Sequence, residues 1–362
     1  MIKLSPKLRD KIIELNFKIK KPVLALGPEV KNTVCFARGN LAFISRVHAD
    51  LSNPIGLLDF EQDAAYFLKK KPKVIACDLH PDYQSSKYIA SALGIQHHHA
   101  HIASCMAENG LKNRKVIGVA FDGTGLGSDG TLWGGEFLAC DYRNYKRLAH
   151  LKEIPLVGGE RAILEPWRLV AAWFNFSPKL DKGGLLKKIF SAGINSPLDS
   201  SMGRLFDAAG SLILGRRKAN FEAELAMELE KKAREYGGKG TEYGFEIKKE
   251  NGIYIIDPLK MFKQIVLDLR HKEQKEKLAF RFHLTAANMI KKICAALRKE
   301  TGINITALSG GVFQNKLLLK LSLDLLYKEG FNVLTHRKLS CNDSGISLGQ
   351  AVIAGARINS RK

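Results

Sequence analysis

The sequence predicts an α/β fold made of two related halves with a ligand held in the cleft between them, on three observations. A strand followed by a small or polar loop occurs three times, at 27–33, 122–129 and 309–315. Helical patterns separate these units, and repeated β-turn elements with helices between them build layered α/β domains. The 362 residues exceed one minimal core and suit two lobes, here placed at 1–114 and 115–362, with a helical insertion over about 156–272.

The elements follow in order from local pattern. Residues 1–21 are basic and read as a helix or a mobile lead-in. The stretch 23–45 reads as strand, polar loop, strand, a turn at Gly39-Asn40, and strand. Residues 59–71 place acids early and lysines late, as a helix dipole favours. "KVIACDLHPDY" is a short buried strand ending in a polar loop, with a helix expected through Leu93. A histidine-rich helix stopped by Gly110 comes next, then a strand, a Gly-rich loop and a second strand over 115–140. Helices dominate 160–235, a hairpin turns at Asn251-Gly252, and a long helix covers about 275–300. The chain closes with strand "ITALS", loop "GGVFQN", a helix, strand "FNVLT", a loop and a final helix.

Composition bounds the function. Hydrophobic residues are 45% of the chain, ordinary for a globular protein. No apolar run approaches the ~20 residues of a membrane span, and the N-terminus has no signal-peptide core. The six cysteines are scattered without a C-x-x-C pair, which argues against a Cys-rich zinc module or a disulfide framework and for a reducing cytoplasm. A net charge of +21 favours anionic ligands, although a Lys-rich surface explains it equally. No basic run is interleaved with stacking aromatics, so no nucleic-acid groove is expected.

Chemistry concentrates in a few stretches. "GIQHHHAHIASCMAENG" holds His97, His98, His99 and His101. On a helix, His97 and His101 stack on one face and can share a metal ion, while His99 points away. An internal helical stretch is not a terminal tag, but a polar helix face remains an alternative. A metal needs further ligands; Asp122, ending an apolar strand, and Asp343, at a loop–helix junction, could supply them, although each also suits a cap or turn. "FDGTGLGSDG" and "LSGGVFQNKLL" are candidate phosphate loops, the second with a helix N-terminus and Asn315 about one turn into the helix. Lys31 sits in the first loop. Asp207 and Glu224 are lone acids on apolar-looking helices, by default surface residues.

Eight stretches, "VLALGPEVKNT", "ACDLHPDY", "QHHHAHIASCMAE", "FDGTGLGSDGTLWGGEFL", "PLVGGERAILEPWR", "GRLFDAAGSLIL", "LSGGVFQNKLL" and "NDSGISLGQA", resemble the C-terminal carbamoyltransferase domain of the HypF hydrogenase-maturation family. The resemblance runs from about residue 22 to the end. It implies the two-lobed, duplicated actin-like ATPase (ribonuclease H-like) superfold. It implies a divalent metal, Fe or Zn, held by His97, His101, Asp122 and Asp343. It also implies ATP-type nucleotide or carbamoyl-adenylate contacts near Lys31, Gly123, Gly310, Gly311 and Asn315, with Asp207 and Glu224 placed by their motif positions. The implied activity moves a carbamoyl group from carbamoyl-adenylate to the C-terminal cysteine of HypE without a covalent nucleophile of the chain's own. The resulting thiocarboxamide is the precursor of the cyanide ligand of a nickel–iron centre. Full-length members carry acylphosphatase, zinc-binding and YrdC-like adenylating parts whose motifs this sequence lacks. Either the chain is an excised domain or a YrdC-like partner serves it in trans; its own basic lead-in from Met1 favours the expectation of a free-standing domain. Two other readings stay in view: a tRNA threonylcarbamoyl transferase, which the charge would suit, and an actin- or chaperone-like nucleotide-binding protein without transfer chemistry.

Overall fold

The computed structural model describes residues 11–358. Its first part runs β1 (Lys11–Ala25), β2 (Cys35–Ile44), α1 (Pro54–Leu68), β3 (Val74–Asp78), α2 (Gln84–Lys87), β4 (Leu93–Ile95) and α3 (His97–Glu108). Then come β5 (Val116–Leu126), β6 (Leu132–Cys140), β7 (Tyr145–Leu151), β8 (Ile154–Pro155), α4 (Glu160–Leu164), α5 (Trp167–Trp173), α6 (Leu185–Ser191), β9 (Leu198–Asp199), α7 (Met202–Leu214) and α8 (Glu224–Glu235). The last part is β10 (Glu246–Glu250), β11 (Ile253–Asp257), α9 (Leu259–Arg270), α10 (Lys275–Thr301), β12 (Ile305–Ser309), α11 (Lys316–Lys328), β13 (Asn332–Leu334) and α12 (Ile346–Ile358).

Two sheets result, ordered β2-β1-β3-β4 and β10-β11-β7-β6-β5-β12-β13, with β9 pairing β6 and β8 pairing β9. In the first, β1 is antiparallel to β2 and parallel to β3, which is parallel to β4. In the second, β5 is antiparallel to β6 and parallel to β12, which is parallel to β13. Strand alternation sorts side chains into layers. On β1, Leu24 joins Phe60 and Phe67 of α1, whereas Val23 and Ala25 face Ile102 of α3 and Val352 of α12. On β5, Val116 and Ala120 face that same middle layer, while Ile117, Val119 and Phe121 pack with Leu205, Leu229 and Ile290 of α7, α8 and α10. Helices α3 and α12 thus lie between the two sheets.

Several sequence expectations change. Residues 11–21 are neither helix nor lead-in but the greater part of β1; residues 1–10 lie outside the described residues. Ile13, Leu15 and Ile19 are buried while Lys18, Lys20 and Lys21 are exposed. Lysines lining the solvent face of a strand mimic a basic helix when read by charge alone. Gly39-Asn40 makes no hairpin turn. It lies within β2, where Gly39, at φ +64°, pairs with Ile19 between two register shifts, a bulge that needs left-handed backbone. The helix expected through Leu93 shrinks to α2, and Leu93 starts β4. The 156–272 segment is not purely helical: β10 and β11 form the expected hairpin, and β11 extends the second sheet beside β7.

Helix α12 meets α3 at Gly349, where a Cβ would fall 1.9 Å from the Ala100 carbonyl oxygen. Gly349→Ala must therefore separate two helices of the middle layer, and overpacking of this kind costs about 1–3 kcal/mol. A urea denaturation curve with an unchanged midpoint for this variant would contradict the packing.

Candidate metal centre

Helix α3 opens with Gln96 as its N-cap, the side-chain oxygen accepting from His99 N at 2.7 Å, and every residue from His97 to Glu108 is buried. This rules out the solvated polar face. Buried imidazoles need partners or a ligand. His99 Nε2 bonds the Asp141 carbonyl at 2.6 Å, and burial pushes this ring down to about 4, so it is neutral and donates. His98 Nδ1 meets the Gln96 amide at 3.1 Å.

His97 and His101 differ. Their Nε2 atoms point to one place, where Asp122 arrives from β5 and Asp343 from the 3-10 turn before α12. One ligand atom from each of the four residues lies within 4.8 Å of the others. His101 Nε2 is 2.7 Å from Asp122 Oδ2 and 3.5 Å from Asp343 Oδ1; His97 Nε2 is 3.9 Å from both carboxylates. A tetrahedral ion with bonds of about 2.0–2.2 Å has donor–donor edges of about 3.4 Å, within this spread. His97 Nε2, His101 Nε2 and Asp122 Oδ2 are buried without an aligned hydrogen bond, even across the 2.7 Å approach. Lone-pair atoms aimed at a shared point rather than at each other fit a divalent cation. Without the cation the cluster keeps protons instead. Burial disfavours charge on His101, but Asp122 and Asp343 outweigh it and push the ring up to about 9. Asp122 is held well below the usual carboxylate range, its burial overcome by His101 and His97.

The anticipated phosphate-side residues fall in different settings. Gly310, at φ +106°, approaches β5 so closely that a Cβ would sit 2.1 Å from the Phe121 carbonyl oxygen, and a Cβ on Gly311 would sit 2.9 Å from Asp122 Oδ1. The Gly-Gly pair thus lets this loop reach β5 at Asp122. A 3-10 turn (Gly311–Gln314) follows, so Asn315 is not one turn into a helix; it is the N-cap of α11, its Oδ1 accepting from Leu318 N at 2.8 Å. Gly123 N donates to Asp122 Oδ1, and a Cβ there would meet Glu222 Oε1 at 3.0 Å and Arg204 Nη2 at 3.4 Å. Asp207 is no surface acid: it is buried, its Oδ2 2.9 Å from Arg204 Nε, and burial, against the pull of Arg204, pushes it up to about 6. Glu224 is engaged by Arg216 at 2.9 Å and by Asn220, so the acid beside Gly123 is Glu222. Lys31, at φ +50°, lines a cleft of about 340 Å³ with Lys11, Arg46 and Ser344.

Comparison with known proteins bears on this arrangement. The family described as "Carbamoyltransferase, Kae1-like Domain, second subdomain" matches residues 118–350, and "HypF Kae1-like domain" matches 18–108. The chain belongs to the HypF carbamoyltransferase family. It is 35% identical to carbamoyltransferase HypF2 of Cupriavidus necator, over 92% of this chain and 46% of that one. It is 33% identical to a carbamoyltransferase HypF homolog of the same organism, covering 92% of this chain and 91% of the homolog. A crystal structure of full-length HypF in a phosphate- and nucleotide-bound form superposes with a TM-score of 0.91 at 40% identity, over 97% of this chain and 58% of that one. The T. kodakarensis HypF structure gives 0.82 at 28% identity, over 96% of this chain and 49% of that one. The chain spans about half the length of the first curated HypF relatives it matches, 46% and 48%.

Sequence reasoning missed three residues at this HypF-type site. Asp78 Oδ2 holds His97 Nδ1 at 2.8 Å, leaving Nε2 to face the cluster. It ends β3 as Asp122 follows the apolar run of β5, a parallel that could have found it. Arg204 is buried with Nη1 unpartnered. Glu222 had no signal, lying in a polar connection.

Divalent metal, measured by elemental analysis after dialysis, is expected near one equivalent in the wild type and to be lost in His97→Ala/His101→Ala with circular dichroism preserved. Uptake must also expel the His101 proton. Apparent affinity should therefore fall roughly tenfold per unit as pH drops below about 9; a flat pH profile would contradict that assignment.

Proposed function

We propose that the chain is a carbamoyltransferase that moves a carbamoyl group from carbamoyl-adenylate to the C-terminal cysteine thiolate of a HypE-type acceptor in nickel–iron hydrogenase maturation. What carries the reading is that four ligand atoms converge beside Gly123 and Gly311 in a chain of this family. The two sheets support a duplicated, two-lobed actin-like architecture: β2-β1-β3-β4 and β6-β5-β12-β13 share one pattern of strand directions. No described helix is long and apolar enough to cross a membrane, which accords with a cytoplasmic setting.

His97, His101, Asp122 and Asp343 would hold an iron or zinc ion, which polarises the carbamoyl carbonyl or neutralises phosphate charge. The chain's own groups position the reactants. The close backbone of the Gly310-Gly311 loop leaves room for the adenylate, and Asn315, with Asp207 and Glu222 across the site, would contact the nucleoside. Arg204, whose Nη2 lies beside Gly123, keeps a buried, unpartnered Nη1 as a cationic donor suited to the phosphate. The acceptor sulfur attacks the carbamoyl carbon, the C–S bond forms, the C–O bond to phosphate breaks and AMP leaves. No residue of the chain is acylated. Rate then comes from alignment and electrostatics.

The net charge of +21 is the one observation that favours tRNA threonylcarbamoylation; tRNA binding with a steep salt slope would support that reading. The direct test supplies labelled carbamoyl-adenylate and the acceptor protein to the purified chain. Label should appear on the acceptor thiol, with transfer reduced at least a hundredfold in Arg204→Met and His97→Ala/His101→Ala. Undiminished transfer by the double variant would separate the metal cluster from the reaction.

A further inference from the structure

Asp78 fixes the far nitrogen of His97, but among the described residues no acid lies against the far nitrogen of His101. A chain of side chains takes that place. His101 Nδ1 is 3.5 Å from Ser309 Oγ at the end of β12. Ser309 Oγ is 2.8 Å from His336 Nε2, in the loop after β13. His336 Nδ1 is 3.3 Å from Glu108 Oε2, back on the last turn of α3. The path is closed, leaving α3 at His101 and returning to it two turns later.

Both ends fix the direction of every proton. If His101 offers Nε2 to a cation, its Nδ1 carries the hydrogen and donates to Ser309. A carboxylate only accepts, so His336 carries its hydrogen on Nδ1. His336 Nε2 is then a lone pair, and Ser309, which holds the only hydrogen left, must donate to it. One arrangement suits all three contacts, the last of which is a 3.3 Å charge contact between His336 Nδ1 and Glu108 and not an aligned hydrogen bond. Ser309 is fully buried, as is the Glu108 side chain. Glu108 also accepts from Arg337 N at 2.5 Å and Leu339 N at 2.9 Å, while neighbouring Asn109 donates to Thr335 O at 2.9 Å. The end of α3 therefore clamps the loop that presents His336 and leads on to Asp343. Burial alone would raise Glu108, but His336 and the two backbone N–H groups hold it below its ordinary range, as an anion.

We propose that Ser309, His336 and Glu108 form a positioning relay that locks His101 as the Nδ1–H tautomer and ties the Asp343 loop to the same helix, so that the cation site is preformed. The inference rests on the metal reading above and concerns residues that touch neither the cation nor the substrate. Groups that orient a metal-binding imidazole typically contribute 10–100-fold in metal affinity.

The test is cobalt(II) binding, by competition with a chromophoric chelator and by the visible ligand-field bands, with urea unfolding of each metal-free variant as the fold control. Ser309→Ala and His336→Ala should weaken binding roughly 10–100-fold and alter the bands. His336→Gln should restore most of the affinity, because one amide can accept from Ser309 and donate to Glu108. Wild-type affinity and bands in both alanine variants would overturn the proposal, as would a glutamine variant as weak as the alanine one. If His336→Ala does not fold, Ser309→Ala against His336→Gln decides. A wild type that takes up no cobalt sinks the metal reading itself, and the relay with it, which is distinguishable from normal uptake by every variant.

Discussion

The structure depends on helix α3 being wedged between β5 and α12 at less than ordinary packing distance. A Cβ on Gly118 of β5 would lie 2.6 Å from Ile102, and one on Gly349 of α12 would lie 1.9 Å from the Ala100 carbonyl oxygen. Gly349 thus brings α12 down onto the backbone of α3, and Gly118 makes room on β5 for the Ile102 side chain. The consequence is chemical: α3 carries His97 and His101, β5 carries Asp122, and Asp343 stands just before α12.

The same wedge imposes a cost that the histidines must offset. A wholly buried helix with four imidazoles carries eight ring nitrogens into a dry layer, where unpaired polar groups cost about 1–3 kcal/mol each. His99 meets this with the Asp141 carbonyl, His97 with Asp78 and His101 with Ser309. The nitrogens left over on His97 and His101 are the two that face the carboxylates. His98 Nε2 and His99 Nδ1 are unpartnered as well, but only the pair on His97 and His101 converges on two acids, and such a point suits something positive.

The anion side of the site follows the same logic from the opposite sign. The Gly310-Gly311 loop and the Arg204 guanidinium beside Gly123 flank β5 where its pairing with β6 is interrupted, between Phe121 and Gly125. Cation and donors therefore meet where the central strand β12 ends at Ser309, and layered α/β folds collect ligands at the carboxyl ends of their strands. Membership of the HypF family and this placement are independent observations that agree.

The sequence by itself determined the local chemistry and most of the elements. The i, i+4 spacing of His97 and His101, the buried strands ending near Asp78 and Asp122, the Asn251-Gly252 hairpin and the Ser-Gly-Gly loop were all legible, because short-range periodicity and turn chemistry act within a few residues. Motif resemblance named the two aspartates, but spacing alone could not, since Asp343 lies 221 positions after Asp122. Tertiary structure decided that the basic start continues as the long strand β1, that Gly39 is a bulge rather than a turn, that Asp207 is buried against Arg204, and that Ser309, His336 and Glu108 close a ring on α3. Each of these depends on which surface a segment packs against. A lysine-rich strand and a basic helix share a composition, and a lone acid and a paired one share a sequence; only burial against a particular neighbour tells them apart.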